Sequence, residues 1–266
     1  MDSWVFAGVY MSVLRLRQRM HDQGYVKRAP LLNALFYSII LAEGYVVLST
    51  ELLAIRLLIP FVGNSTETLS IIIAAVLMPL AIGYYVGGQY KIKKNHHRHQ
   101  SIRLKLTRNL IGAAFILTIG LSYLLLELFF LGLESAGIQN RIIQTFIYSG
   151  LFIVYPVFLL GQTVPLISHF FARQHLSEAT GRMLFFSTMG SFLGSIISTL
   201  VLMSTIGLHY TVLLNIFILV LLVIVLNKGF FNRRIVCIGL IASIAIIFNN
   251  HFIMKYAQII ENNNYS

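Results

Sequence analysis

The sequence predicts an all-α fold, a polytopic bundle of six or seven transmembrane helices. Three observations carry this. Of the 266 residues 57% are hydrophobic and only 11% charged, against roughly 25% charged in soluble domains. Several apolar runs reach the ~20 residues needed to cross a bilayer. Most Lys and Arg lie in the short stretches between those runs, the charge bias of helical membrane proteins.

The chain divides into a basic N-terminal segment at 1–30, a helical membrane domain at 31–250 and a polar tail at 251–266. In the first, Trp4, Val5, Phe6 and Val9 precede Arg15, Arg17, Arg19, Lys27 and Arg28. This apolar stretch is too short to span, and its charges follow rather than lead, unlike a signal peptide. An amphipathic helix lying on the inner leaflet fits it.

Span one is read at 31–60. At 1.5 Å per residue it is about 45 Å long, more than the roughly 30 Å of hydrocarbon. It must tilt, kink or protrude, with Glu43-Gly44 as a weak point and Pro60 as its break. A turn through Gly63-Asn64-Ser65 leads to span two at 69–86. The following loop at 91–108 carries Lys91, Lys93, Lys94, Arg98, Arg103, Lys105 and Arg108 and no acid. Span three, at 110–131, contains Glu127. Span four, at 142–171, contains Pro156 and Pro165. Each proline leaves a backbone carbonyl without its usual donor, which a neighbour or a cavity must satisfy. Spans five and six are read at 183–203 and 211–226. The last apolar run, 235–248, is either a seventh span or a re-entrant or interfacial segment.

Orientation follows from charge. With the N-terminus in the cytoplasm, 17 of the 20 Lys and Arg are cytoplasmic, leaving Arg141 and Lys255 outside and Arg56 within a span. The expected location is thus the inner membrane, multi-pass, N-terminus inside. The lipid bilayer is the expected partner, with anionic lipid at the basic loop 91–108. The net charge of +11 does not indicate nucleic acid, because no basic face with interleaved aromatics lies outside the apolar runs.

Ionisable groups inside a membrane are costly and mark interiors or cavities. Glu43, Glu51, Arg56 and Glu127 are such groups, and Gln162 adds a polar side chain within span four. Glu43 and Glu51 are about 80° apart around a helix, whereas Glu51 and Arg56 diverge by about 140°. The first two share a face and the second two are poor mutual partners. One reading is a polar pocket that binds a cation. The other is structural, with Arg56 snorkelling outward and the glutamates bonding across helices. Gly83 and Gly87 form one GxxxG face and Gly190 and Gly194 another, extended by Ser187, Ser191, Ser195 and Ser198; both read as helix packing. His96, His97 and His99 stand in a basic loop without a carboxylate or thiol, unsuited to a metal. Cys237 is the single cysteine, so no disulfide forms within the chain. Asn64-Ser65-Thr66 matches a glycosylation acceptor but reads first as a turn. No nucleophile, base and orienter converge, so no catalytic residue, metal or cofactor is assigned.

Glu51-x4-Arg56, Gly63-Asn64-Ser65 and Gly83-x3-Gly87-Gly88, in that order, resemble the membrane domain fused to bacterial spermidine-synthase-like proteins, the polyamine aminopropyltransferases. Leu160-Gly161-Gln162-Thr163-Val164-Pro165 is similar to that family's G-x-T-x-P segment. The stretch Gly181 to Gly194 resembles its span-five signature, and Ile206-Gly207-Leu208 the turn after it. The resemblance covers roughly residues 35–226. In that family a Rossmann-like methyltransferase-fold domain follows the spans, binds decarboxylated S-adenosylmethionine through a Gly-rich turn, and holds the amine with acidic residues. No counterpart of that domain is read in this chain. The tail Ile259-Ile260-Glu261-Asn262-Asn263-Asn264-Tyr265-Ser266 resembles a stub of its first strand.

The resemblance therefore implies a non-catalytic membrane domain that anchors or pairs with a separate catalytic chain in polyamine metabolism. Aminopropyl transfer by this chain alone is not expected. The alternative is a small transporter or half-transporter for polyamines or other cations. Six main spans, and a Gly-rich end of span two entering a basic loop, make the fold half-major-facilitator-like, although the Asp usual in that loop is missing. A third reading, an enzyme with its active site inside the membrane, lacks a convergent acid–base set.

Overall fold

In the computed structural model, residues 34–90, 98–170 and 176–226 are described. The N-terminal segment 1–30, the run 235–248 and the tail 251–266 lie outside them, as do His96, His97 and Cys237. The chain divides into two compact units, Met1–Ile39 and Ile40–Ser266. The first contributes only the opening residues of α1 to the description.

All regular structure among the described residues is helical. The helices are α1 (Ala34–Val62), α2 (Thr66–Gly88), α3 (Arg98–Gly120), α4 (Tyr123–Ser135), α5 (Arg141–Ser168), α6 (Ser177–Thr205) and α7 (Gly207–Leu226). Five of them are long and apolar enough to cross a membrane; α3 and α4, bent by 66° at their junction, pass the same test only as a pair, a broken span or a re-entrant one. Arg141, at the start of α5, reaches to within 3.6 Å of the Cβ position of Gly63 in the α1–α2 turn. The α3–α4 pair has thus carried the chain from one end of the bundle to the other. The protein is a multi-pass helical membrane bundle.

The break between α3 and α4 corrects the expectation of a span at 110–131. Ser122 adopts an extended conformation (φ −80°, ψ 125°), and the helix stops at Gly120. The Gly120 carbonyl, freed by the break, accepts a hydrogen bond from the Tyr148 hydroxyl of α5. A buried carbonyl needs such a donor, and Tyr148 is fully buried beside it. The expected basic loop at 91–108 is corrected as well. From Arg98 onward it is the first half of α3. Ile102, Leu106, Leu110, Ala113 and Leu117, at helical spacing, are buried, and that stripe binds the helix to its neighbours.

α1 also differs from the expected 31–60. It runs unbroken through Glu43-Gly44 and past Pro60, and ends where Gly63 takes φ 81°. That left-handed conformation favours glycine. The Gly63 N–H donates to the Ile59 carbonyl at 2.9 Å, closing the last turn. Ser65 then caps α2, accepting from the Thr68 N–H at 3.2 Å, so Asn64-Ser65-Thr66 serves as the turn and cap.

The prolines of α5 act locally. A π-helical stretch, Gly150–Val154, precedes Pro156, and the helix breaks at Gln162, three residues before Pro165. A proline removes a donor, and a π-bulge shifts the bonding register around the gap. A second π stretch, Ile197–Leu202, interrupts α6.

Over its most apolar 18 residues, the buried share is 61% for α1 and for α5, but 28% for α2 and 22% for α6. α1 and α5 are therefore the interior helices. The outer faces of α2, α6 and α7 expose Leu77, Met78, Phe185, Phe192, Leu200 and Phe217, the composition of a surface that meets lipid rather than water.

Candidate functional site

Four polar side chains of α1, those of Glu43, Ser49, Thr50 and Glu51, are buried. Glu43 is 1% exposed, and neither carboxyl oxygen has a hydrogen-bond partner among the described residues. Its electrostatic neighbour is Tyr84 of α2, and the next residue of α1, Gly44, lies against the Ser187 backbone of α6. Three helices thus meet around one carboxyl.

Closer to the middle of α1, Asn215 Nδ2 of α7 donates to Ser49 Oγ at 2.7 Å. Ser198 Oγ of α6 lies 2.6 Å from Ser49 Oγ and 3.2 Å from the Tyr45 hydroxyl. These four buried side chains tie α1, α6 and α7 together. Ser198 sits within the π stretch of α6, a distortion often found at functional positions. Asn215 Oδ1 has no partner among the described residues.

A third polar contact lies between α3 and α5. Asn109 Nδ2 donates to Gln162 Oε1 at 3.0 Å, and both side chains are 2% exposed. Gln162 marks the break in α5, where backbone groups lose their helical partners.

The five polar residues singled out from the sequence do not converge. Glu43 lies among α1, α2 and α6, and Gln162 between α3 and α5. Glu51 is 8% exposed and Arg56 exposed, and among the described residues neither forms an ion pair or hydrogen bond. Glu127 is exposed on α4. Asn109 and Asn215 went unremarked in the sequence; the signal was there, as single asparagines in otherwise apolar runs. Among the described residues no three His, Cys, Asp or Glu side chains come together as a metal site.

The glycines line two helix contacts. A Cβ on Gly83 would sit 2.6 Å from the Phe158 carbonyl oxygen, and one on Gly87 3.1 Å from that of Gln162. From the facing side, a Cβ on Gly161 would sit 2.8 Å from the Leu80 carbonyl oxygen. On the other contact, Cβ atoms at Gly190 and Gly194 would collide with the carbonyl oxygens of Leu41 and Tyr45, and one at Gly44 with that of Ser187. Ser191 Oγ also donates to the Gly44 carbonyl at 3.2 Å. Backbone meets backbone at both contacts, α2 with α5 and α1 with α6.

Compared with family models, curated proteins and solved structures, the chain matches none.

Proposed function

We propose that the chain is a non-catalytic membrane domain of the spermidine-synthase-like kind, holding a separately encoded aminopropyltransferase chain at the inner membrane. The observation that carries this reading is where the resembling motifs fall. Gly63-Asn64-Ser65 is the α1–α2 turn. Gly83 and Gly87 lie against Gly161, Gln162 and Pro165, so two motifs distant in sequence form the two sides of one contact. Gly190 and Gly194 form the α6 side of the other. The motif residues are the joints of a close-packed scaffold, and their side chains offer no acid, base and nucleophile in reach of one another. In the proposed orientation the starts of α1, α3 and α6 face the cytoplasm, where a catalytic chain would dock.

Glu43 favours a second reading, transport of a polyamine or another cation. An unpartnered carboxyl among three helices is the kind of group that a translocated ammonium would contact. The two readings separate in one experiment. Membranes containing the chain are washed and assayed for aminopropyl transfer in the presence of the partner, and vesicles holding the chain alone are assayed for spermidine uptake. Membrane-bound transfer supports the scaffold. Uptake that Glu43→Gln abolishes supports transport.

A further inference from the structure

We propose that a groove on α3 binds an anionic phospholipid, with Lys105 and Arg108 as its contacts to the lipid phosphate. The groove has a volume of about 360 Å³ and is lined by Tyr90, Ser101, Leu104, Lys105, Arg108 and Ile111 among others. Leu104 and Lys105 follow Ser101 by three and four residues, and Arg108 and Ile111 follow at further intervals of three, so these α3 positions share one side of the helix. Tyr90, just past the end of α2, closes one side, its hydroxyl 3.2 Å from Ser101 Oγ.

Lys105 and Arg108 are three residues apart on a helix, where like charges repel. Among the described residues no carboxylate pairs with either. The neighbouring Arg103 is engaged elsewhere, its Nε donating to the Leu226 carbonyl at 2.9 Å. An anion between Lys105 and Arg108 removes their repulsion, and the Ser101 and Tyr90 hydroxyls add uncharged donors nearby. Leu104 and Ile111 are the apolar side chains of the groove, and Thr107 adds a hydroxyl. Leu104 is 70% exposed, and Ile111 lies about 15 Å along the helix from Ser101.

Two basic side chains flanked by the apolar Leu104 and Ile111 suit an amphiphile with a phosphate head and an acyl chain. Free phosphate makes no use of Leu104 and Ile111. A zwitterionic lipid brings its own cation to the two basic side chains. An anionic phospholipid is the occupant that satisfies both ends. The site stands whatever the bundle anchors or carries.

The test uses the full chain, delipidated in a nonionic detergent and incubated with dioleoyl phosphatidylglycerol or dioleoyl phosphatidylcholine. Native mass spectrometry counts retained lipid. The wild-type protein is expected to retain phosphatidylglycerol in preference to phosphatidylcholine. Lys105→Gln combined with Arg108→Gln is expected to weaken that binding roughly tenfold or more. Arg108→Lys, which keeps the charge, should retain most of it, and Arg182→Gln on α6 all of it. Equal retention of the two lipids by the wild type, which needs no variant, overturns the proposal. So does unchanged phosphatidylglycerol binding by a folded double variant, or displacement of the lipid by millimolar inorganic phosphate.

Discussion

Glu43 and Gly190 show two opposite ways in which one residue can matter inside this bundle. Glu43 has two buried oxygens with no partner among the described residues, so its removal takes away polar surface that none of them satisfies. Leucine has a similar size. Glu43→Leu is therefore expected to leave stability unchanged or raise it by an amount on the order of 1 kcal/mol, read as an equal or higher melting temperature. A fall of several degrees in detergent would show that the carboxyl has a stabilising contact. Gly190 is the reverse case. Its missing side chain lets the Leu41 carbonyl of α1 approach, and backbone cannot step aside as a flexible side chain can. Gly190→Val should cost about 1–3 kcal/mol, read as a lower melting temperature. Gly88→Ala is the control, because a Cβ there meets nothing within 4 Å; it should be neutral within about 1 kcal/mol.

Among the elements, the α3–α4 break and α5 depend on each other. Tyr148 donates to the Gly120 carbonyl, while its ring packs on Phe129, Phe130 and Phe152 at centroid distances of 5.7, 5.9 and 5.3 Å. Tyr148→Phe keeps the ring and removes the donor. The expected loss is about 1–2 kcal/mol, measured by thermal unfolding followed by circular dichroism; no loss would mean that the break finds another donor. This break marks the limit of what was legible in the sequence. Helix existence and approximate span limits could be read from apolar run length, because hydrocarbon thickness sets that length whatever the neighbours are. The bend at Leu121-Ser122 could not, since it depends on Tyr148 arriving from 28 residues away to satisfy one carbonyl. The helical state of Arg98 to Arg108 was hidden by charge, although Ile102, Leu106 and Leu110 already showed the spacing. The asparagines were visible, but their partners, Gln162 and Ser49, are chosen by helix packing.

For the whole molecule, the described helices put the α1–α2 turn and the α4–α5 connection at one end. The end of α2, the start of α3 and the last described residue of α7, Leu226, lie at the other. Phe61 and Tyr123, with ring centroids 5.8 Å apart, and His209, 6.2 Å from Tyr123, cluster at the first end, where aromatic rings suit a membrane interface. In the proposed orientation that end lies outside the cytoplasm. Alkaline phosphatase fused at Gly137 should therefore be active in the periplasm and phosphatase fused at Gln89 inactive; the opposite pattern would invert the proposed orientation. The proposed scaffold role, holding an aminopropyltransferase made as another chain, is tested by co-expressing the protein with the catalytic chain and assaying washed membranes for aminopropyl transfer. Activity is expected to sediment with the membranes only when the scaffold is present, and to return to the soluble fraction with Gly190→Val. Activity that stays soluble in every case, with spermidine accumulating in vesicles that hold this chain alone, would contradict it.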